Sequence, residues 1–118
     1  MATTVLIVDD HPSFRRTARA LLEAEGYEVV GEAENGNEGL RLAVELAPDI
    51  VLLDVQLPDL DGFEVTSRLL AGNGAIPDVV LTSSRDASDF GPLIAQSGAR
   101  GFVPKAELSG GALATLIA

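Results

Sequence analysis

The chain has 118 residues, no cysteine and a formal net charge of −10. This length predicts a single domain, residues 1–118, with a hydrophobic core that needs no covalent staple. The missing cysteine excludes a disulfide frame and a thiolate metal site, and the negative charge argues against direct binding to nucleic acid or to anionic membranes.

Five short apolar runs are predicted to form strands. In chain order they are Val5–Val8, Tyr27–Val30, Ile50–Leu53, Val79–Leu81 and Gly101–Val103. The first, third and fourth are nearly continuous aliphatic stretches, which are typical of strands covered on both faces.

The first two segments between these runs carry apolar residues at helical spacing. A first helix is expected to begin near Pro12, because proline is favoured in a first turn. The residues that it should turn towards the core are Phe14, Ala18, Leu21 and Leu22. A second helix should end before Pro48. Its predicted core residues are Leu40, Ala43, Val44 and Ala47.

Three more helices are predicted further along the chain. The third should begin at Asp61, a plausible N-cap, and its core residues would be Phe63, Val65, Leu69 and Leu70. A fourth is expected over Ser88–Ser97, although Gly91-Pro92 lies in its first turns. The fifth, Leu108–Ile117, would be capped by Ser109 or preceded by the acidic Glu107.

Strands that alternate with helices predict an α/β fold in which helices cover both faces of a parallel sheet. Right-handed crossovers place the carboxyl end of every strand on the same edge of such a sheet. Ligands of open α/β sheets bind at this edge, near the point where the strand order reverses. The residues that follow the predicted strands are therefore the candidate site residues.

Charged and hydroxyl side chains follow four of the five strands. They are Asp9 and Asp10, Asp54, Thr82 with Ser83 and Ser84, and Lys105. A lone Asp after a strand is commonly a cap or turn residue, and a lone Lys is commonly a solvated surface amine. Two carboxylates about 5 Å apart, however, repel each other by about 3 kcal/mol at an effective dielectric constant near 20. A fold that keeps three of them together is expected to use them.

Carboxylates at a rigid sheet edge suit Mg²⁺, which binds oxygen ligands and keeps positions open for water and phosphate oxygens. A carboxylate can also act as a nucleophile towards phosphorus. Phosphoryl transfer depends mainly on positioning and charge neutralisation, which a metal ion, a lysine and a hydroxyl supply. The pattern therefore predicts a Mg²⁺-dependent phosphoacceptor site in which Lys105 pairs with Asp54 or with a phosphoryl oxygen.

Four motifs carry a family resemblance: Val5–Asp10, Asp49–Asp54, Leu57–Gly62 and Gly101–Lys105. Together, in this order and over essentially the whole chain, they resemble the receiver domains of two-component response regulators. The resemblance implies a flavodoxin-like, five-stranded parallel sheet with strand order 2-1-3-4-5 and helices on both faces. The segment Asp9–Arg15 further resembles the nitrate-response-regulator subgroup, whose members often carry a helix-turn-helix output domain.

The resemblance also implies a role for each site residue. Asp54 would accept the phosphoryl group from the phosphohistidine of a kinase, and Lys105 would contact that group. Asp10, Asp54 and the backbone carbonyl of Gln56 would bind Mg²⁺ or Mn²⁺ directly, while Asp9 would act mainly through water. Phe102 matches the aromatic switch position of the family, with plain core packing as its other interpretation.

The switch hydroxyl is ambiguous by one residue. Counting back from Lys105 favours Ser83, whereas counting forward from Pro77 favours Thr82. We prefer Ser83, because an extra residue in the helix between the fourth and fifth strands is less common than a one-residue shift at the start of the fourth strand. Ser84 is the third candidate.

The chain departs from the family in its last loop. The family often has a cis bond between the lysine and a following proline, whereas here Pro104 precedes Lys105 and Ala106 follows it. A cis bond between Lys105 and Ala106 would cost about 3 kcal/mol, because neither residue is proline. The position of the lysine is expected to be retained.

The resemblance implies a sensor histidine kinase or a phosphotransfer protein as partner, and an output domain or a second copy of the chain as a further one. No turnover of an external substrate is expected. The first residues lack the basic start of a signal peptide and no apolar run approaches roughly 20 residues, which predicts a soluble cytoplasmic protein. Alternative functions are a receiver used only for protein–protein interaction, a small aspartate-nucleophile phosphatase and a flavodoxin-like cofactor binder.

Overall fold

Five parallel strands in the order β2-β1-β3-β4-β5 form the centre of the computed structural model, which describes residues 2–72 and 74–117. The strands are β1 (Thr4–Val8), β2 (Glu28–Ala33), β3 (Ile50–Asp54), β4 (Asp78–Ser83) and β5 (Gly101–Pro104). The predicted fold class and strand order are confirmed. The predicted apolar runs coincide with the five strands to within a few residues at each end.

The register between strands brings their carboxyl ends level with one another. Val8 of β1 pairs with Leu53 of β3, and the next residue of β3, Asp54, pairs with Thr82 of β4. Side chains alternate between the two faces, as a pleated strand requires. Ile50 and Leu52 of β3 pack into one hydrophobic cluster, and Val51 and Leu53 pack into the other.

Helices cover both faces of the sheet. The helices are α1 (Pro12–Ala24), α2 (Gly36–Leu46), α3 (Gly62–Leu70), α4 (Leu93–Gln96) and α5 (Gly110–Ile117). Helices α1 and α5 pack on one face and α2 and α3 on the other. The predicted caps are observed, since Asp61 accepts from the N–H of Glu64 at 2.8 Å and Ser109 Oγ accepts from the N–H of Ala112 at 3.0 Å. No helix among the described residues is long and apolar enough to cross a membrane.

Helix α2 lies at a different rotation from the predicted one. Val44 is 84% exposed and Ala47 is also exposed, although both were predicted to face the core. The buried face instead carries Gly36, Gly39 and Ala43. A Cβ on Gly39 would lie 2.9 Å from a methyl carbon of Val8, so that the small residues allow the helix to approach the sheet closely.

The predicted fourth helix, Ser88–Ser97, is broken in two. A 3₁₀ turn over Ala87–Phe90 precedes the single turn of α4, and Gly91 between them has a φ of 56°. Proline at position 92 lacks an N–H and clashes with the preceding turn of a continuing helix. Neither piece contains a fully buried residue, and the partly buried Phe90 is the residue of the 3₁₀ turn that packs against the core.

A polar clamp holds the beginning of α5. The hydroxyl of Tyr27 donates to the carbonyl oxygen of Gly110 at 2.9 Å, and the N–H of Gly110 donates to the carboxylate of Glu25. A Cβ at position 110 would lie 2.7 Å from an oxygen of Glu25. The turn between α1 and β2 therefore fixes the start of the last helix.

Candidate functional site

Three carboxylates meet at the carboxyl edge of the central strands. Asp9 follows β1 and is fully buried, while Asp54 ends β3 and is 3% exposed. Asp10 stands beside them at the exposed rim. The structure therefore brings together the three aspartates that the sequence singles out.

The predicted lysine lies in the same pocket. Its Nζ atom is 2.7 Å from Oδ2 of Asp9 and 3.2 Å from Oδ2 of Asp54. The ammonium also sits 4.5 Å from the ring centroid of Phe14, where the ring face attracts a cation. Lys105 thus contacts Asp54 as predicted and is closer still to Asp9.

The pocket holds more negative than positive charge. Burial raises the pKa of Asp54, and the negative charge of Asp9 raises it further against the opposing effects of Lys105 and the Gln56 N–H. Burial alone would lower the pKa of Lys105, but its contacts with the two aspartates outweigh this and raise it. One ammonium therefore only partly offsets the carboxylates.

The loop after β3 folds back against Asp54. The N–H of Gln56 donates to Oδ1 of Asp54 at 3.0 Å, and the N–H of Gly62 donates to the carbonyl oxygen of Val55 at 2.7 Å. A Cβ on Gly62 would lie 2.6 Å from the carbonyl oxygen of Asp54. Only glycine permits this close return, which closes one side of the pocket.

The donor set fits a divalent cation. Asp9, Asp10, His11 and Asp54 each offer one ligand atom, and these atoms lie within 4.8 Å of one another. Oδ2 of Asp9 is buried, and its one close partner among the described residues is the ammonium of Lys105 at 2.7 Å. Buried carboxylate oxygens with spare lone pairs are the ligands that Mg²⁺ prefers.

Sequence reasoning missed His11. Its Nδ1 atom lies 3.1 Å from Oδ1 of Asp9 and 3.2 Å from Oδ1 of Asp10. The available signal was its position directly after the paired aspartates, at the end of a predicted strand.

The strand register distinguishes the candidate hydroxyls. Thr82 pairs with Asp54, whereas Ser83 pairs with Pro104. Because side chains alternate along a strand, Thr82 shares the sheet face of Asp54 and Ser83 points to the other. The geometry therefore favours Thr82 over our preferred Ser83, and Ser84 is exposed. The preference for Ser83 assumed a regular helix between β4 and β5, and this segment is the broken one.

The two hydroxyls also have different partners. Oγ1 of Thr82 donates to the carbonyl oxygen of Val103 at 2.6 Å, and Oγ of Ser83 accepts from the N–H of Arg85 at 3.1 Å. The threonine hydroxyl is thus bonded directly to β5. The serine hydroxyl belongs to the turn that follows β4.

Phe102 is half-buried and belongs to a row of aromatic rings. Its centroid lies 5.8 Å from that of Phe90, which in turn lies 5.9 Å from that of Phe63. These separations are typical of attractive aromatic pairs. The ring therefore packs on the core edge and borders the segment around α4.

The last loop has no cis bond. Every peptide bond that the structure describes is trans, including the one between Lys105 and Ala106. Residues Lys105–Glu107 form a 3₁₀ turn. The lysine reaches the pocket from the first residue of this turn.

Comparison with known proteins agrees with this geometry. Residues 5–117 match the family described as "Response regulator receiver domain". The chain is 46% identical to BvgA of Bordetella pertussis over 107 residues, which are 91% of this chain and 51% of that protein. It is 41% identical to the transcriptional regulatory protein LiaR of Bacillus subtilis over 102 residues, 86% of this chain and 48% of that protein. The chain thus spans about half the length of these relatives.

Solved structures share the whole fold. A two-component response regulator of the LuxR family from Aurantimonas sp. SI85-9A1 superposes with a TM-score of 0.86 at 34% identity, covering 99% of this chain and 86% of that one. The signal receiver domain of NarL from Mycobacterium tuberculosis superposes with a TM-score of 0.84 at 32% identity, covering 98% and 97% of the two chains.

Proposed function

Because the chain belongs to the response regulator receiver domain family, we propose that residues 1–118 act as one phosphoacceptor domain in which Asp54 receives the phosphoryl group. The observation that carries the proposal is the pocket itself, in which a buried Asp54 carboxylate lies 3.2 Å from the only lysine of the chain. The family works by receiving a signal and does not turn over an external substrate.

In the proposed reaction an oxygen of Asp54 attacks the phosphorus of a phosphohistidine. The P–N bond breaks, the imidazole leaves with the electron pair, and an aspartyl phosphate remains. Lys105 already lies at hydrogen-bonding distance from Oδ2 of Asp54, so that a small movement of its ammonium would bring it against a phosphoryl oxygen. This contact offsets the charge that is delivered to an already negative pocket.

The proposed cofactor is Mg²⁺ or Mn²⁺. Asp10, Asp54 and the carbonyl oxygen of Gln56 would hold the ion directly, and Asp9 would act mainly through water. When bound, the ion neutralises negative charge on the transferring group. The support for this assignment is the donor set of clustered aspartates, whose negative charge one ammonium offsets only in part.

The proposed output begins with the hydroxyl of Thr82, in preference to the adjacent Ser83. This hydroxyl donates to the carbonyl oxygen of Val103 at 2.6 Å. A phosphoryl oxygen on Asp54 is a charged and therefore stronger acceptor, and turning the hydroxyl towards it would release the β5 carbonyl beside Phe102. The surface expected to change comprises α4, β5 and α5.

The proposed partners are a sensor histidine kinase or a phosphotransfer protein, which the family implies. Since LiaR is a transcriptional regulatory protein, we propose that this receiver regulates transcription through an output domain or a homodimer partner, without binding DNA itself. On the ground of the family alone, we place it in the cytoplasm.

Acetyl phosphate with Mg²⁺ tests the central proposal. The parent protein should gain one phosphoryl group, detected by mass spectrometry and removed by hydroxylamine, and Asp54→Ala should gain none. Asp59→Asn is a matched control, because the Asp59 carboxylate accepts backbone N–H groups of Gly36 and Asn37. A label that persists in Asp54→Ala would place the nucleophile elsewhere. A parent protein that takes no label would favour a receiver used only for protein–protein interaction.

A further inference from the structure

The ring of Phe14 is a third neighbour of the Lys105 ammonium. The Nζ atom lies 2.7 Å from an oxygen of Asp9, 3.2 Å from an oxygen of Asp54 and 4.5 Å from the ring centroid, over the face of the ring. The lysine side chain is 15% exposed, so that these three neighbours surround most of its charged end. The proposed reaction uses the two carboxylates and assigns nothing to the ring.

The position of the Phe14 ring is fixed by the core of the protein. Phe14 is the third residue of α1, and its half-buried side chain packs against the hydrophobic cluster that α1 and α5 cover. Lys105 comes from a different element, the 3₁₀ turn that follows β5. A lysine side chain is long and flexible, and here it meets an aromatic surface that core packing holds in place.

An aromatic ring holds a cation in a way that neither an aliphatic side chain nor a carboxylate does. Its negative face attracts an ammonium within about 6 Å of the centroid, whereas a leucine in the same place would not. The ring carries no net charge and accepts hydrogen bonds only weakly. It therefore leaves the positive charge and the N–H donors of the lysine available, whereas a third carboxylate at this position would compete for them with a phosphoryl oxygen.

We propose that Phe14 is a positioning residue for Lys105, whose ring holds the ammonium beside Asp54 and leaves it free to bond to a phosphoryl oxygen. The inference rests on the proposed function, because Lys105 contacts that oxygen only once Asp54 receives the group. Without the ring, the lysine side chain regains rotamers that lead away from the pocket, and the fraction of molecules ready for transfer falls. The usual strength of cation–π contacts corresponds to a loss of about 3- to 10-fold in rate.

NMR on the metal-free, unphosphorylated protein tests the contact itself. Lys105 is the only lysine of the chain, so that a ¹³C-lysine label gives one set of side-chain signals. In the parent and in Phe14→Tyr, the ring current should shift the lysine ε-methylene protons upfield, and ¹³C relaxation should show a restrained side chain. In Phe14→Leu the upfield shift should vanish and the mobility should rise. Phe90→Leu removes another half-buried ring, which packs beside Phe102, and should leave both readouts unchanged.

Phosphorylation by acetyl phosphate with Mg²⁺ tests the consequence for the reaction. Phe14→Leu should take up the phosphoryl group about 3- to 10-fold more slowly than the parent, whereas Phe14→Tyr should stay within about 2-fold of it, because tyrosine keeps the ring. Leucine retains an apolar side chain against the core, and urea unfolding checks that each variant is folded. Phe14→Met repeats the test with a second side chain that has no ring.

The outcomes separate the inference from the proposed function. Equal phosphorylation rates in the parent and Phe14→Leu, or the same Lys105 signals in both proteins, would overturn the inference and leave Asp54 as the phosphoacceptor. A Phe14→Tyr protein as slow as Phe14→Leu would also overturn it, because packing and not the aromatic face would then set the rate. A parent protein that takes no phosphoryl group would overturn the proposed function, and the inference with it.

Discussion

Asp54 and Glu32 are both shielded carboxylates on the sheet, yet their pKa values move in opposite directions. Burial and the charge of Asp9 raise the pKa of Asp54. Burial also acts to raise the pKa of Glu32, but hydrogen bonds and charges from Arg19 and Arg15 outweigh it and lower the pKa. Glu32 has two cations for one carboxylate, at 2.6 and 3.1 Å.

The acidic pocket has the reverse ratio, with three carboxylates around one ammonium. A carboxylate that only supports the fold is most stable when its negative charge is fully paired with cations of the protein. A carboxylate that must bind a metal ion needs negative charge that the protein's own cations do not neutralise. The distinction separates structural from functional acids without reference to any relative. Four experiments test it.

The largest difference is expected with Mg²⁺. At about 100 times its dissociation constant, an ion that binds only the folded state raises the free energy of unfolding by roughly 2.7 kcal/mol. The parent protein should show this gain in thermal unfolding, and Asp10→Ala should lose most of it. Glu32→Gln should keep the full gain, because Glu32 lies outside the pocket. Equal gains in the parent and Asp10→Ala would exclude the pocket as the metal site.

Removing the paired carboxylate should destabilise the fold. Glu32→Gln removes the carboxylate that Arg15 and Arg19 share, and a hydrogen bond to a charged group contributes about 1.5–3 kcal/mol. Because the three side chains are partly exposed, we expect a net loss of about 1–2 kcal/mol. Urea unfolding at neutral pH without metal measures it. Unchanged stability would mean that the pairing of Glu32 is not structural.

Asp54→Asn should have the opposite effect in the absence of metal. A raised folded pKa means that the folded state binds more protons than the unfolded state above about pH 3.9, so that stability falls as the pH rises through the folded pKa. Asp54→Asn has no such titrating group. Its free energy of unfolding should therefore equal or exceed that of the parent at pH 7, and this advantage should disappear below about pH 4.

Glu32 supplies the control with the opposite slope. Its lowered folded pKa adds stability above about pH 4.3 that is lost as the pH falls through the folded value. Unfolding curves across this range should therefore show the parent's advantage over Glu32→Gln shrinking in acid. A loss above about 2 kcal/mol for Asp54→Asn at pH 7 would show instead that Asp54 is a satisfied structural carboxylate.

The smallest expected effect concerns how phosphorylation of Asp54 changes the surface around Phe102 and α5. A hydrogen bond to a charged acceptor contributes about 1.5–3 kcal/mol. This free energy changes the population ratio of two conformations of the surface by about 10- to 100-fold. Thr82→Ala should still take phosphate yet show weaker NMR amide shifts around Phe102 and α5 than the parent. Ser83→Ala should respond as the parent does. The reverse pattern would restore Ser83 as the switch hydroxyl.

The sheet and the pocket were predictable because both follow from coarse features. Aliphatic runs define buried strands, and parallel topology brings residues such as Asp54 and Lys105 to one edge whatever the details of the helices. The rotation of α2 was not predictable from apolar spacing, because glycines rather than Val44 face the sheet. The choice between Thr82 and Ser83 depends on the register between β3 and β4. Counting residues from Lys105 or from Pro77 left this choice open by one position, and the sequence alone does not reveal the register.

Local pattern failed in two further places. The predicted helix over Ser88–Ser97 contains no fully buried residue, so that Gly91 and Pro92 decided its structure. The position of His11 directly after the paired aspartates was a weak signal, since a lone histidine after a strand is ordinary. Only the structure shows that its ring lies beside two carboxylates.

The polar clamp on α5 has a consequence for the order in which the chain folds. Its hydrogen bonds join Gly110 to Tyr27 and Glu25 across 83 and 85 residues. Contacts between residues so far apart in the chain form slowly, because a long loop must close before they can be made. The turn between α1 and β2 should therefore be in place before α5 docks, and the arrival of α5 should be among the last events of refolding. In hydrogen-exchange experiments during refolding, the amide of Gly110 should gain protection later than those of β1 and β3.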